Sequence, residues 1–196
     1  MNEQLELGIT PPSSTLVPAR YADSYPARMV RAARLYVSPR TRPLNVYEME
    51  TRRMAYQLKE RDCPEGVIQQ VASELAALIQ GPCNLIPVPG HTGSTTANAR
   101  LSRAIAGYVT GGAFIYDILG RRAPVDSACV RHRSGKPPLS ISEHGIIRRS
   151  DRLIPCQPTF LIDNVTTSGR TITACQNALG FGSGLVFADA TFHRYR

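Results

Sequence analysis

Residues 159–172 read TFLIDNVTTSGRTI, an apolar run that ends in an acid and passes through hydroxyl-bearing residues and a glycine into a second apolar pattern. The run from Phe160 to Ile162 predicts a buried strand, and the helical spacing of the apolar residues in 171–179 predicts a helix. The first N–H groups of a helix have no partner inside it and lie at the positive end of its dipole. The segment is therefore typical of a phosphate-binding turn between a strand and a helix.

The side chains of this turn suit a sugar phosphate. Thr167, Ser168 and Thr171 offer hydroxyl donors, and Gly169 lets the backbone approach a phosphate without a Cβ in the way. Asp163, at the expected end of the strand, suits vicinal sugar hydroxyls. A P-loop would carry a lysine after its glycine and a dinucleotide fold would carry G-x-G-x-x-G, and the segment has neither. The alternative is an ordinary strand-turn-helix with solvated threonines, which explains neither the glycine nor the order of the residues.

Residues Phe160 to Ile172 resemble the phosphoribosyl-pyrophosphate (PRPP) signature of the type I phosphoribosyltransferases. The resemblance implies that Asp163 and Asn164 hold the ribose hydroxyls. Asn164 stands where the family usually has a second acid, and its amide supplies no negative charge to a developing ribose cation. The resemblance also implies a 5′-phosphate on the residues that follow, namely Thr166, Thr167, Ser168, Gly169, Arg170 and Thr171.

A second segment, residues 84–93, is again a short apolar strand that runs into a glycine-containing turn and then a helical pattern. It resembles the pyrophosphate loop of the same family, and its Pro87-Val88-Pro89 start is similar to the competence-protein-F-like branch. The residues that the resemblance assigns to the loop are Pro89, Gly90, His91 and Thr92. Taken alone, a proline-bounded loop without a ligand is the competing interpretation.

The segment from Gly120 to Pro158 is rich in charge and turn residues, and its length without strong periodicity predicts a flexible or hood segment. In the family this position holds a loop that closes over the site and often brings a basic residue to the pyrophosphate. Lys136 is the catalytic candidate, with Arg131 and Arg133 beside it, and a solvated basic loop is the alternative.

Strands alternating with helices predict an α/β fold with a mostly parallel sheet flanked by helices. Ligands of such sheets bind beyond the carboxyl ends of the strands, where both loops would lie. Further elements are predicted as helices over 47–60 and 65–80 and strands over 113–118 and 185–190. We expect residues 1–45, rich in proline, to form an extended basic arm, and residues 46–196 to form one phosphoribosyltransferase-like domain with a small hood.

The chain of 196 residues has a net charge of +8, and all of its 23 basic residues except Lys59 and Lys136 are arginines. Arg28, Arg31 and Arg34 would share one face if their segment were helical, which offers a surface for nucleic acid or an acidic partner; a solvated face is the alternative. We expect neither export nor a membrane span, and hence a cytoplasmic protein. The five cysteines form no C-x-x-C pair, so we expect buried reduced thiols and no structural zinc.

The sequence thus predicts a phosphoribosyltransferase that transfers phosphoribosyl from PRPP to a nitrogen acceptor such as a nucleobase. The resemblance implies Mg²⁺ held mainly by the substrate, with no side chain as a direct ligand, and such enzymes are often homodimers. Asn164 and the basic arm favour a different class, a non-catalytic regulator that senses PRPP or a nucleotide. A third hypothesis, a DNA-uptake accessory, depends on Pro87-Val88-Pro89 and the shared layout.

Overall fold

The structure is a computed structural model, and it describes residues 30–39, 42–150, 152 and 156–190. In chain order its strands are β1 Val30–Leu35, β2 Cys83–Pro87, β3 Ala113–Ile115, β4 Leu119–Arg121, β5 Ile146–Arg148, β6 Thr159–Thr166 and β7 Ser183–Asp189. Five of them form one sheet in the order β1-β7-β6-β2-β3, in which every neighbouring pair is parallel. The predicted α/β fold with a mostly parallel sheet is confirmed.

The helices cover both faces of this sheet. They are α1 Val46–Gln57, α2 Glu65–Ala76, α3 Thr96–Ala106, α4 Ala128–Arg133 and α5 Arg170–Leu179, and one turn of 3-10 helix spans Ser142–His144. The first three helices share a core with Phe160 and Ile162, whereas α5 shares a second core with Leu161. Because side chains alternate along a strand, the unbroken apolar run of β6 can supply both cores.

The predicted helices and strands form, with shifted ends. Asn45 caps α1, since its side chain accepts the Glu48 N–H while the Glu48 carboxylate accepts the Asn45 N–H. The strand predicted over 113–118 ends at Ile115. Leu119–Arg121 then pairs antiparallel with β5 in a separate two-stranded sheet.

The segment from Gly120 to Pro158 is predicted to be a flexible or hood segment. Its described residues contain part of β4, together with α4, the 3-10 turn and β5. Of the cysteines expected to be buried, Cys63, Cys83 and Cys175 are buried, whereas Cys156 is exposed.

The predicted arm over 1–45 differs from the structure at β1. These six residues pair in parallel with β7, from Val30 beside Gly184 to Leu35 beside Asp189, and form one edge of the sheet. Residues 1–29, including Arg28, lie outside the described residues.

The predicted arginine face is wrong at Arg34. This residue lies in β1, is 7% exposed, and donates from Nε and Nη2 to the two carboxylate oxygens of Glu74 at 2.8 and 2.5 Å. Its guanidinium also contacts two aromatic rings: the Arg34 Cζ lies 4.6 Å from the ring centroid of Tyr47 and 5.4 Å from that of Phe187. Arg34 thus ties β1 to the helices and is not available to a nucleic acid.

In the part of the chain that the structure describes, none of the helices has the length and apolar character needed to cross a membrane.

Candidate functional site

The two predicted loops follow neighbouring strands of the sheet. Pro87 at the end of β2 lies beside Ile162 of β6, and the strands are parallel, so both chains leave the sheet at the same edge. β6 does not end at Ile162 as predicted but continues to Thr166. Asp163 and Asn164 are consequently strand residues, and their side chains point to opposite faces.

Asp163 faces the loop that follows β2. Its Oδ1 accepts the side-chain amide of Asn98 at 3.2 Å and the N–H of Asn164 at 2.8 Å. Its Oδ2 has no hydrogen-bond partner in the described parts of the chain, and the residue as a whole is only partly exposed. Burial raises the pKa of this carboxyl, and the two donors with the charges of Lys59 and Arg121 oppose that rise. One oxygen is therefore fixed and the other is available.

Asn164 lies on the other face. It is 9% exposed, its Nδ2 donates to the carbonyl of Ala55 in α1 at 3.3 Å, and its Oδ1 accepts the N–H of Val165 at 2.8 Å. The structure therefore does not bring Asn164 together with Asp163, although the sequence predicts that both hold the ribose. The amide instead connects β6 to α1.

The turn after β6 is held from inside by Thr166. This side chain is buried, and its Oγ1 accepts the Gly169 N–H at 3.1 Å, so the hydroxyl supports the turn. Gly169 has φ 72°, a left-handed conformation, and stands as the N-cap of α5 with no side-chain cap. Thr167 and Ser168 are exposed. The turn thus presents hydroxyls and helix N–H groups to solvent.

Arg170 and Thr171 begin α5, where the backbone N–H groups have no partner within the helix. The Arg170 guanidinium does not point freely into solvent, because Nη1 donates to the carbonyls of Pro138 and Leu139 at 3.2 and 2.9 Å. Arg170 therefore joins the turn after β6 to the segment that follows α4.

The loop after β2 is closed by its own backbone. Gly90 donates to the Ser94 carbonyl at 2.8 Å, and Gly93, with φ 88°, donates to the Gly90 carbonyl at 3.0 Å. The carbonyl of His91 accepts the N–H of Val125 at 2.9 Å. Of the residues predicted for this loop, Pro89 is buried, Gly90 is partly exposed, and His91 and Thr92 are exposed.

Lys136 makes no side-chain hydrogen bond to a residue of either loop in the described structure. Its Nζ pairs with Asp126 Oδ2 at 2.9 Å on the surface, and this contact lowers the pKa of Asp126. The lysine whose charge acts on Asp163 is Lys59, in the turn after α1. Its Nζ lies 5.9 Å from the ring centroid of Tyr56.

Two residues of the candidate site, Asn98 and Arg121, were not predicted from the sequence. Asn98 donates through Nδ2 to the Val88 carbonyl at 2.8 Å as well as to Asp163. The sequence does contain a signal for Asn98, because this polar residue stands at a core-facing position of α3, three residues before Leu101 and seven before Ile105. Arg121 donates through Nε to the Gly90 carbonyl at 2.7 Å, and no local pattern marks it.

A separate open groove of about 450 Å³ lies on the outer side of α1 and contains none of the predicted site residues. Its lining residues are Pro39, Leu44, Met49, Arg52, Arg53 and Tyr56. The described residues contain no cluster of three or more histidine, cysteine or acidic side chains that could hold a metal ion. The candidate site is therefore identified from the side chains and backbone groups that follow β2 and β6, and not from a pocket or a metal cluster.

Comparison with known protein families finds no matching family model, and a search of curated proteins finds no significant match.

Proposed function

We propose that the protein binds PRPP and transfers its phosphoribosyl group to a nitrogen acceptor such as a nucleobase, on a type I phosphoribosyltransferase-like fold. One observation carries the proposal. Asp163, with one carboxylate oxygen fixed by Asn98 and the other without a hydrogen-bond partner among the described residues, lies between two glycine-bearing loops at adjacent strand ends. A sugar with a phosphate on one side and a pyrophosphate on the other matches this arrangement.

The 5′-phosphate belongs on the turn after β6. An anion at a helix N-terminus gains from the unpaired N–H groups and the helix dipole, and α5 has no side-chain cap to compete with it. Thr167, Ser168 and Thr171 add hydroxyl donors, while Gly169 keeps a Cβ out of the approach. Thr166 supports the turn, and Arg170 would have to leave two carbonyls to reach the phosphate.

The ribose hydroxyls belong on Asp163 Oδ2. A carboxylate accepts hydrogen bonds from two vicinal hydroxyls and also stabilises positive charge that develops on the ribose ring. Asn164 contributes indirectly in this proposal, since its amide fixes α1 against β6 through the Ala55 carbonyl. Charge stabilisation therefore falls on a single carboxylate.

The pyrophosphate belongs on Pro89, Gly90, His91 and Thr92. Asp163 is an acidic group at this edge, and its Oδ2, which accepts no hydrogen bond from the described residues, fits a water-mediated contact with a substrate-bound Mg²⁺ better than it fits a complete protein metal site. Bound with the substrate, Mg²⁺ would neutralise charge on the pyrophosphate.

The reaction is a displacement at ribose C1. The bond from C1 to the pyrophosphate oxygen breaks and its electron pair leaves with pyrophosphate, while the lone pair of the acceptor nitrogen forms the new C1–N bond. The proton of that nitrogen passes to solvent. The protein orients the groups and stabilises charge, so no covalent protein intermediate is needed.

Titration calorimetry with PRPP and Mg²⁺ tests the binding step. We expect wild-type protein to bind PRPP more tightly than ribose 5-phosphate, and Thr171→Ala to weaken both because it removes a phosphate donor. Thr110→Ala, an exposed hydroxyl at the opposite edge of the sheet, is the matched control. Equal heats for PRPP and ribose 5-phosphate, together with an unchanged Thr171→Ala, would contradict the proposal.

The second candidate is a non-catalytic regulator that binds PRPP or a nucleotide. The position of Asn164 favours it, because the residue that replaces the second acid is buried against α1 and supplies no charge to the ribose. Pyrophosphate release against a panel of nucleobases separates the two candidates. Release with any base supports the transferase, and binding without release supports the regulator.

The DNA-uptake hypothesis depends on Pro87-Val88-Pro89 and the shared layout, and the basic arm that would bind DNA lies largely outside the described residues. Retention of DNA with an affinity that falls steeply with salt would favour it.

A further inference from the structure

Arg121 is a buried cation that forms no ion pair within the described parts of the chain, although the charge of Asp163 acts on it. It ends β4, is 9% exposed, and takes part in none of the ion pairs there. Burial lowers the pKa of its guanidinium. Buried charges in proteins are normally paired, because an isolated charge away from water is costly. We therefore expect an arginine in this position to bind an anion.

The guanidinium is held in place on one side only. Its Nε donates to the Gly90 carbonyl at 2.7 Å, and its Nη1 donates to the carbonyl of His144. Nη1 also lies 3.4 Å from His144 Nδ1. Burial and the charges of Arg121 and Arg170 lower the pKa of His144 to about 4, so the imidazole is neutral near pH 7. The neutral ring and two carbonyls orient Arg121 without neutralising it.

The remaining terminal nitrogen of the guanidinium is unpaired. In the described structure Nη2 has no hydrogen-bond partner, and it is not sealed from solvent. The charges of Arg121 and Asp163 interact, since each acts on the pKa of the other. The free donors therefore belong to the same part of the molecule as the Oδ2 of Asp163 and the loop at Gly90.

We propose that Arg121 is a ligand-binding residue that donates from Nη2 to an anionic oxygen of a diphosphate group held at the loop Pro89–Ser94. The inference rests on the proposed function, which it deepens by assigning the cation for the pyrophosphate to Arg121 instead of Lys136. Arginine suits this role because its planar fork matches phosphate oxygens. Its fixed position means that little side-chain entropy is lost when the anion binds.

Binding of inorganic pyrophosphate with Mg²⁺, measured by calorimetry, tests the inference. We expect Arg121→Gln to weaken pyrophosphate binding roughly tenfold or more and to leave ribose 5-phosphate binding unchanged. Arg121→Lys should give an intermediate loss, because it keeps the charge but not the fork. Arg122→Gln, an exposed neighbour, is the matched control and should bind like wild type.

Arginine side-chain NMR of the wild-type protein gives a result even if both variants fail to fold. Pyrophosphate should shift the Arg121 Nε–Hε resonance, and inorganic phosphate at the same concentration should shift it less. An unshifted resonance, or a folded Arg121→Gln protein that binds pyrophosphate as wild type does, would overturn the inference. If the wild-type protein does not bind ribose 5-phosphate, that result would instead count against the proposed function.

Discussion

The side-chain amide of Asn98 donates to Asp163 Oδ1 at 3.2 Å and, from the same nitrogen, to the Val88 carbonyl at 2.8 Å. Asn98 is 8% exposed and lies in α3, so one amide joins this helix to the chain leaving β2 and to the carboxylate of β6. The distance between the two loops of the site is therefore fixed by a residue that belongs to neither.

Replacing Asn98 tests this connection. Asn98→Ala leaves the Val88 carbonyl without this donor and leaves Asp163 Oδ1 with only the Asn164 N–H, so we expect a loss of about 1–3 kcal/mol in the free energy of unfolding. PRPP binding should weaken as well, because Asp163 is no longer oriented. Urea denaturation and calorimetry measure the two effects. Asn177→Ala, an exposed amide of α5, should change neither.

Asp163→Asn should separate stability from binding. Because burial raises the pKa of this carboxyl, the folded protein favours its protonated form, and the associated stability is lost as pH rises from 3.8 through the folded pKa. At neutral pH the ionised group is a cost that asparagine removes. We expect a gain of about 0.5–2 kcal/mol together with loss of PRPP binding.

Thermal unfolding at pH 7 and pH 3 measures the first part of this prediction, and the gain should shrink at the lower pH. Asp62→Asn, an exposed acid, is the control. A variant less stable than wild type at pH 7 would show that the charge of Asp163 is not a cost.

His144 affects the stability of the folded protein in the opposite direction to Asp163 as the pH changes. Its pKa falls from 6.5 to about 4 on folding, so the unfolded chain binds a proton that the folded protein does not. The stability it provides is complete above pH 6.5 and is lost as pH falls toward 4, with an upper bound of about 3 kcal/mol. His144→Gln should flatten the pH dependence of Tm in this window. An unchanged slope between pH 6.5 and 4 would contradict the assignment.

Gly169→Ala tests the proposed binding of phosphate at the turn after β6. A Cβ at this position would meet no atom within 4 Å, so any cost comes from the left-handed backbone at φ 72° and not from a clash. We expect a loss of about 1–2 kcal/mol and weaker ribose 5-phosphate binding. Gly66→Ala, which also finds open space but lies in the first turn of α2, should be neutral or stabilising by about 0.5–1 kcal/mol. Equal effects of the two variants would argue against backbone strain at Gly169.

Much of the fold was readable from the sequence because periodicity reports which faces of an element are buried. The alternation of strands and helices predicted the parallel sheet and the edge at which both loops lie. The end of β6 was misjudged because Asp163 and Asn164 are polar, and polar residues commonly end a strand. Here the two side chains find partners on opposite faces, Asn98 on one and Ala55 on the other, so the strand continues.

β1 escaped prediction for a related reason. Its sequence contains arginines at positions that a buried strand rarely tolerates, and the charge of Arg34 is compensated by Glu74, forty residues away along the chain. The candidate site shows the same limit. Both loops were predicted from local patterns, whereas Arg121 and the surface pairing of Lys136 with Asp126 depend on tertiary contacts that no local spacing encodes.

The pairing of β1 with β7 has a consequence for how the protein is made. Val30 lies beside Gly184, and among the described residues β1 has no other neighbour in the sheet, so the first of the described strands to leave the ribosome waits for one synthesised much later. Until residues 183–189 have been made, β1 and the exposed edge of β6 lack their intervening strand. A chain stalled before that point would carry two unpaired edges, which are open to pairing with other chains.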